Sequence, residues 1–450
     1  MSRPNILLIV LDAVRKDHLS CYRHDRETTP NIDRLASEGT RYEQAIAAAP
    51  WTPPSHASMF TGQYPSTHGV VGGSPNLETN DPTVAEALSA AGYATFGYSN
   101  SHHTSADNDF DRGFDHYHDI LALPRFRGTM YEFSRAYAKY AVRRVVRGVD
   151  DSYFQLEKLR ARIRGSQSPF FGFINLNSAH SPYDPPGGYH QFVDGFERWD
   201  EVDAEKVNAL AHRAGYEHMM NEISVSDAEW ELLRRRYDGE IAYLDDLLGS
   251  FFDFLEAEGL FDDTLIIVTA DHGEHFGEHG LAYHQFSLFE ELINVPMVVK
   301  WPGDRSTATD ESLTSLVDLA PTALEVAGVD IPAQMEGRRL RTDSPRKAVF
   351  AEYAGPYPPL RDRLRKYDAF EEYDRGLQAI RTDRHKLVVG TDGEWALYDV
   401  TDEERRLDDE QLMETLADEL EETLGTIRTG QNVGELDNVV EDHLEQMGYL

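Results

Sequence analysis

Near its start the chain runs Pro4-Asn5-Ile6-Leu7-Leu8-Ile9-Val10-Leu11-Asp12, an unbroken apolar stretch closed by a carboxylate. A strand that is apolar on both faces belongs in the interior of a parallel sheet covered by helices on either side. Asp12 then stands at the carboxyl edge of that sheet, where α/β proteins bind their ligands. Further strand-like runs follow at Ala94 to Tyr98, Phe170 to Leu176, Thr264 to Thr269 and Val295 to Val299. Helix-like stretches separate them: Thr83 to Ala91, Asp227 to Glu258 and Ser312 to Ala327. This alternation predicts an α/β fold, doubly wound, with a mostly parallel sheet flanked by helices. Ile6 to Leu11 is far shorter than the roughly 20 apolar residues of a membrane-spanning helix, and no small-residue cleavage site follows it. The expectation is a soluble, cytoplasmic protein.

Beyond about residue 340 the texture changes to short segments: Ala348 to Glu352, Leu377 to Arg381, Lys386 to Val389 and Ala396 to Val400, with the turn Thr391-Asp392-Gly393 among them. These predict a smaller C-terminal antiparallel sheet, followed by acidic helices from Asp408 onward. The chain is therefore divided into a catalytic domain over 1–340 and an α+β subdomain over 341–450. Within the first, 119–165 stands out as a variable basic insert. Its core carries Arg125, Arg127, Arg135, Lys139, Arg143, Arg144 and Arg147 against one acid, Glu132. A solvated helix paired with acidic neighbours explains that run most simply, with an anion-facing lid or a membrane-surface contact as the other readings.

The rest of the chain is strongly acidic. Against 79 Asp and Glu there are 43 basic residues, leaving a formal charge of −36, and only 8 of the basic residues are Lys. Such a body repels phosphate backbones, which argues against a nucleic-acid partner. It fits a protein adapted to high salt, where screening relieves self-repulsion. The lone Cys21 excludes an intramolecular disulfide and any cysteine-based metal cluster.

Two segments carry the chemistry. The strand-like run to Thr269 opens into Ala270-Asp271-His272-Gly273-Glu274-His275. A carboxylate and an imidazole just past a strand end can turn toward one cation where Gly273 lets the chain bend away. Glu274, His275, Glu278 and His279 fit a surface loop. The other segment is Ala49-Pro50-Trp51-Thr52-Pro53-Pro54-Ser55-His56-Ala57-Ser58-Met59-Phe60-Thr61-Gly62. Its prolines predict a short helix starting near Pro53, whose N-terminus can hold an anion. Thr52 is either its N-cap or a nucleophile; position alone favours the cap.

Taken together, the strand ending in Asp12, the Thr52-to-Ser55 segment, Asn177-Ser178-Ala179-His180-Ser181-Pro182-Tyr183 and Asp271-His272-Gly273 followed by Val295-Pro296 resemble the sulfatase family of the alkaline phosphatase superfamily. Thr29-Pro30-Asn31-Ile32-Asp33, Thr61-Gly62-Gln63-Tyr64-Pro65, Gly113-Phe114-Asp115, Tyr237-Asp238-Gly239-Glu240-Ile241 and Leu397-Tyr398-Asp399 extend the resemblance over nearly the whole chain. It implies an alkaline-phosphatase-like fold and a metal-activated side chain that attacks sulfur or phosphorus through a covalent ester.

The departures from that family are informative. Sulfatases oxidise a Cys or Ser to formylglycine, whereas Thr52 carries a methyl on Cβ and cannot give that aldehyde. His56 replaces the family's Arg, and Ala13 replaces the second of two adjacent aspartates. The remaining set, with Asp12, Thr52, Asp271 and His272 as metal ligands, resembles the phosphoglycerol transferases related to lipoteichoic acid synthase. One divalent ion is expected, Mn or Mg ahead of Ca, with Zn also suited to an imidazole ligand. Asn100 falls where sulfatases place a lysine, and His102 matches a neighbouring histidine, so that Asn100, His102 and His56 are the substrate-binding candidates. His180 and His284 are catalytic candidates alongside Thr52, to bind the anion or protonate the leaving oxygen. The expected reaction is hydrolysis or transfer of a phosphate ester through Thr52. Sulfate-ester hydrolysis on sulfated glycans or aryl sulfates is the alternative, and an inactive anion-binding protein the second. The expected partner is an anionic ester, a phosphorylated or sulfated glycan, lipid or small molecule.

Overall fold

The computed structural model describes residues 3–118, 150–166, 169–342, 344–402 and 405–426. An eight-stranded sheet forms its centre, in the order β10-β2-β9-β6-β1-β5-β3-β4. Its strands are β1 (Asn5–Leu11), β2 (Thr40–Ile46), β3 (Ala94–Ser99), β4 (His116–His118), β5 (Phe170–Leu176), β6 (Thr264–Thr269), β9 (Asn294–Lys300) and β10 (Ala308–Ser315). Only β9 runs antiparallel to its neighbours. β1 is buried at all seven positions, as its uninterrupted apolar sequence requires.

Register explains why the site residues meet. Val10 of β1 lies level with Thr269 of β6 and with Asn175 of β5. Two residues further on, Asp12, Asp271 and Asn177 leave three neighbouring strands side by side at their carboxyl ends. β7 (His275–Phe276) and β8 (Ala282–Tyr283) form a small hairpin ladder beyond β6.

β2 and β10 were not evident from the pattern, and the expected helix from Ser312 to Ala327 begins later. β10 continues to Ser315, and the α-helix spans Leu319–Ala327. The sequence Ala308–Ser315 is polar because β10 is an edge strand with one face in solvent, which acidic side chains protect from further pairing. Ser315 and Asp318 cap each other's backbone at the junction, which marks the true start of the helical turn.

The five-stranded antiparallel sheet is β11 (Ala348–Tyr353), β12 (Leu377–Thr382), β13 (His385–Gly390), β14 (Trp395–Asp399) and β15 (Arg405–Leu407). The helix Glu410–Leu424 packs Leu416, Leu420 and Leu424 onto it. A half-buried ionic knot ties this sheet to the short helix Glu290–Ile293 that leads into β9: Glu290 accepts from Lys386 Nζ at 3.2 Å and from Arg381 Nη2 at 3.2 Å. Of the insert, Asp151–Gly165 is a helix that buries Leu156, Leu159 and Ile163. The basic run 125–147, and the acidic helices expected beyond 426, lie outside the described residues. Among the described residues no helix is long and apolar enough to cross a membrane.

Candidate active site

Asp12, Asp271 and His272 present one ligand atom each within 4.8 Å of one another, and all three are buried. His272 Nδ1 lies 2.9 Å from the carbonyl of Gly273. A carbonyl only accepts, so Nδ1 carries the hydrogen and Nε2 keeps its lone pair. That lone pair faces Asp271 Oδ2 at 3.4 Å and Asp12 Oδ1 at 3.7 Å. Neither of these carboxylate oxygens has a hydrogen-bond donor. The other oxygens are satisfied: Asp12 Oδ2 accepts from Asn175 Nδ2 at 2.9 Å, and Asp271 Oδ1 from the amides of Ala13 and His272.

The electrostatics follow. Burial and the neighbouring Asp271 charge raise Asp12 above the usual carboxylate range. Burial pushes Asp271 up to about 7 and His272 down to about 3. Two buried like charges facing an imidazole lone pair are costly alone and favourable around a cation. The residues therefore fit the divalent ion expected from the sequence. Gly273 contributes by close approach: a Cβ there would sit 1.9 Å from the carbonyl of Glu291, while its amide donates to Leu292. The expected bend is thus a tight backbone crossing.

Thr52 does not cap its helix. Trp51 occupies the N-cap and Thr52 is the first residue of the buried helix Thr52–Thr61. Its hydroxyl donates toward His272 Nε2 at 3.3 Å, which places Oγ1 at the edge of the carboxylate pair. The helix begins one residue before a Thr52 cap would place it, and with Trp51 as N-cap Pro53 and Pro54 take the second and third positions, whose missing amides leave no side-chain cap to be made. Ser55 Oγ donates to the carbonyl of Asp271 and locks the helix to the β6 loop. His56 lies fully buried beneath Thr52, with Nδ1 3.0 Å from the Thr52 carbonyl and 3.5 Å from Asp271 Oδ2.

His284 and His180 complete one wall. The His284 ring lies 4.4 Å from that of His272 and 5.0 Å from that of His180, centre to centre. His180 Nδ1 is held by the Ser181 carbonyl at 2.8 Å. Asn100, at the carboxyl end of β3, donates to Asn177 Oδ1 at 3.3 Å and accepts from Gln155 of the helix Asp151–Gly165. His102 and His103 are both buried in the turn after β3, and His103 packs against Trp51 and Tyr357.

Sequence reasoning missed His103 and, more importantly, Glu274. Glu274 and His275 were expected on a surface loop, yet both are buried. The alternation of acids and histidines imitates a solvated loop, and only pairing shows otherwise. Glu278 pairs with Arg15 at 2.9 Å, and His279 stacks on Phe289.

A second group, His18, His24 and Asp238, also has ligand spacing. Asp238 sits on the helix Asp227–Ala257 and holds His18 Nδ1 at 2.6 Å, His24 Nε2 at 3.2 Å and Arg26 Nη1 at 2.5 Å. Beside it, the Tyr237 hydroxyl donates to the carbonyl of Ala13 at 2.7 Å. The Tyr237-to-Ile241 motif thus fixes the loop that delivers Asp12.

A carboxyl-edge pocket of carboxylates, imidazoles and a helix-start hydroxyl on this fold defines a class: hydrolases of anionic esters with the alkaline phosphatase architecture. The comparisons make that specific. The sulfatase family model matches residues 4–329, and that of the N-sulphoglucosamine sulphohydrolase C-terminal region matches residues 277–430. The chain belongs to the sulfatase family. The multifunctional alkaline phosphatase superfamily protein PehA of Trinickia caryophylli is 28% identical over 76% of this chain and 77% of its own. The N-acetylglucosamine-6-O-sulfatase of Bacteroides thetaiotaomicron is 23% identical over 90% of this chain and 82% of its own. In fold, the phosphonate monoester hydrolase of Agrobacterium radiobacter superposes with a TM-score of 0.73 at 23% identity, covering 94% of this chain and 95% of that one. Most of the related proteins carry sulfatase names, which stand nearer to the sulfate-ester alternative than to the phosphate-ester expectation.

Proposed function

We propose that this chain is a metal-dependent hydrolase or transferase of anionic esters in which Thr52 is the nucleophile and phosphate esters are the preferred substrates. The observation that carries the reading is the Thr52 hydroxyl, presented at the first turn of a buried helix, 3.3 Å from His272 Nε2 and beside two carboxylates with oxygens left without donors. Asp12, Asp271 and His272 would hold a divalent ion, Mn or Mg ahead of Ca, which would lower the pKa of the adjacent hydroxyl and offset charge on the transferred group.

The chain's own residues supply the rest. Thr52 Oγ1 gives its proton to solvent and attacks phosphorus in line; a P–O bond forms to Thr52, and the P–O bond to the departing alcohol breaks. His284, with His180 beside it, delivers a proton to that oxygen. Water or an acceptor hydroxyl then attacks phosphorus, giving its proton back to His284, and the P–O bond to Thr52 breaks as Oγ1 takes up a proton from solvent. His56 holds the Thr52 carbonyl and so sets where the helix begins. Asn100 and His102 line the β3 side as substrate-binding residues, with Asn100 a neutral amide that carries less charge compensation than a lysine.

A second reading, sulfate-ester hydrolysis on a sulfated glycan or aryl sulfate, is favoured by the relatives' names and by a structural neighbour, TM-score 0.67, solved with its substrate D-glucosamine-2-N,6-O-disulfate. Against it stands the Thr52 side chain, which cannot form the aldehyde hydrate by which formylglycine expels sulfate. Matched nitrophenyl phosphate monoester, diester and sulfate, each with manganese and a Thr52→Ala control, separate the two. Phosphate turnover lost in the control supports the first reading. Sulfate turnover that dominates, or turnover that survives Thr52→Ala, refutes it.

A further inference from the structure

Glu274 is buried two residues beyond His272, and its carboxyl group is engaged from both sides. Oε1 lies 3.0 Å from His284 Nδ1, and Oε2 accepts from the Tyr183 hydroxyl at 2.7 Å. Its own carbonyl is held by Arg15 Nη1 at 3.0 Å. Tyr183 in turn packs its ring against Tyr237 and Phe276 at 5.7 and 5.5 Å between centres. The carboxylate is thus joined to the His180 segment through Tyr183 and to the far end of the β7–β8 hairpin through His284, while its backbone is held by the β1 loop.

The three imidazoles of the pocket differ in what holds them. His272 and His180 are each clamped at Nδ1 by the carbonyl of the next residue, so local backbone sets their rings. His284 Nδ1 instead faces the Glu274 carboxylate, from the opposite end of the same hairpin. A carboxylate locks both the plane and the tautomer of the imidazole it faces, and removing such an orienting group costs catalysis although it never touches the reacting atoms.

Resting on the proposed ester chemistry, we propose that Glu274 is a positioning residue that, braced by Tyr183, aims His284 Nε2 at the leaving oxygen. Glutamine is the discriminating replacement, since its carbonyl oxygen can still face Nδ1 while its amide donates to Tyr183.

The test compares Glu274→Gln, Glu274→Leu, His284→Ala and the Glu274→Leu/His284→Ala double variant on a nitrophenyl phosphate and on an alkyl phosphate, after thermal melts and manganese uptake have been matched to wild type. A misaimed proton donor matters most for the poor leaving group. Glu274→Leu should therefore lower kcat for the alkyl ester by ~10²-fold, the scale of general acid catalysis, and for the nitrophenyl ester by far less. Glu274→Gln should recover most of the loss, and the double variant should be no worse than His284→Ala alone. Equal losses on both substrates, additive losses in the double variant, or a Gln variant as poor as Leu would each overturn the proposal. Thr52→Ala is run in parallel: turnover that survives it refutes the nucleophile assignment instead, whatever the Glu274 variants do.

Discussion

Among the described residues two groups of Asp and His have metal-ligand spacing, one beside Thr52 and one around Asp238, and they are electrostatic opposites. Asp238 takes hydrogen bonds from His18, His24 and Arg26, and those partners hold it well below the usual carboxylate range. Asp12 and Asp271 face each other and the unprotonated nitrogen of His272, and burial lifts both. Spacing alone does not separate a cation site from a structural ion cluster. What separates them is the charge left over once the protein's own donors are counted.

That contrast breaks most sharply on substitution. Asp271→Asn should reduce kcat by ~10³-fold, the equivalent of about 4 kcal/mol of lost metal-derived stabilisation, with the fold intact by circular dichroism. Asp238→Asn should do the reverse, keeping the chemistry but losing about 3 kcal/mol of stability in urea melts, because the half-buried Arg26 guanidinium and the His18 and His24 rings lose the buried carboxylate that holds them. Next in size is the response to metal. Manganese at one hundred times its Kd should stabilise the wild type by about 2.7 kcal/mol over the chelated protein, equally in Asp238→Asn and not at all in Asp271→Asn.

The pH dependence of the chelated protein should carry opposite signs at the two sites. Asp271 has its folded value raised to about 7, so between pH 4 and 7 the folded chain binds a proton the unfolded chain has released, and stability falls as pH rises through that window. Asp238 is lowered, so its contribution is present above the ordinary carboxylate value and disappears as pH drops below it. Urea midpoints from pH 3 to 8 check this, with Asp271→Asn reducing the upper slope and leaving the part carried by Glu274, which burial also raises to about 7. The smallest effect is expected at Ala13, whose φ of 60° lies in the left-handed region. Ala13→Gly should shift stability by at most ~1 kcal/mol and leave turnover unchanged, since its amide and carbonyl contacts to Asp271 and Tyr237 involve backbone alone.

The central strands were legible because burial on two faces leaves an unmixed apolar signature: β1, β5 and β6 all match their expected positions. β2 and β10 were not, since Thr40–Ile46 alternates and Ala308–Ser315 is largely polar, and such segments are strands only by virtue of their neighbours. In the site, Asp12, Asp271 and His272 were legible as strand-end residues, and register brings them together. Glu274 was not: its identity as a buried acid depends on His284 ten residues later and on Tyr183 from a different strand loop. Thr52 lay between, correctly placed at a helix start but as the first helical residue rather than the cap, because the helix begins one residue earlier, after Trp51.

The most direct measurement is bound metal per chain after manganese loading and gel filtration, in wild type, Asp271→Asn and Asp238→Asn. One equivalent in wild type and Asp238→Asn, and none in Asp271→Asn, is the predicted result. Metal that is lost with Asp238 and retained without Asp271 would contradict the assignment of the cation to the unsatisfied carboxylate pair beside Thr52.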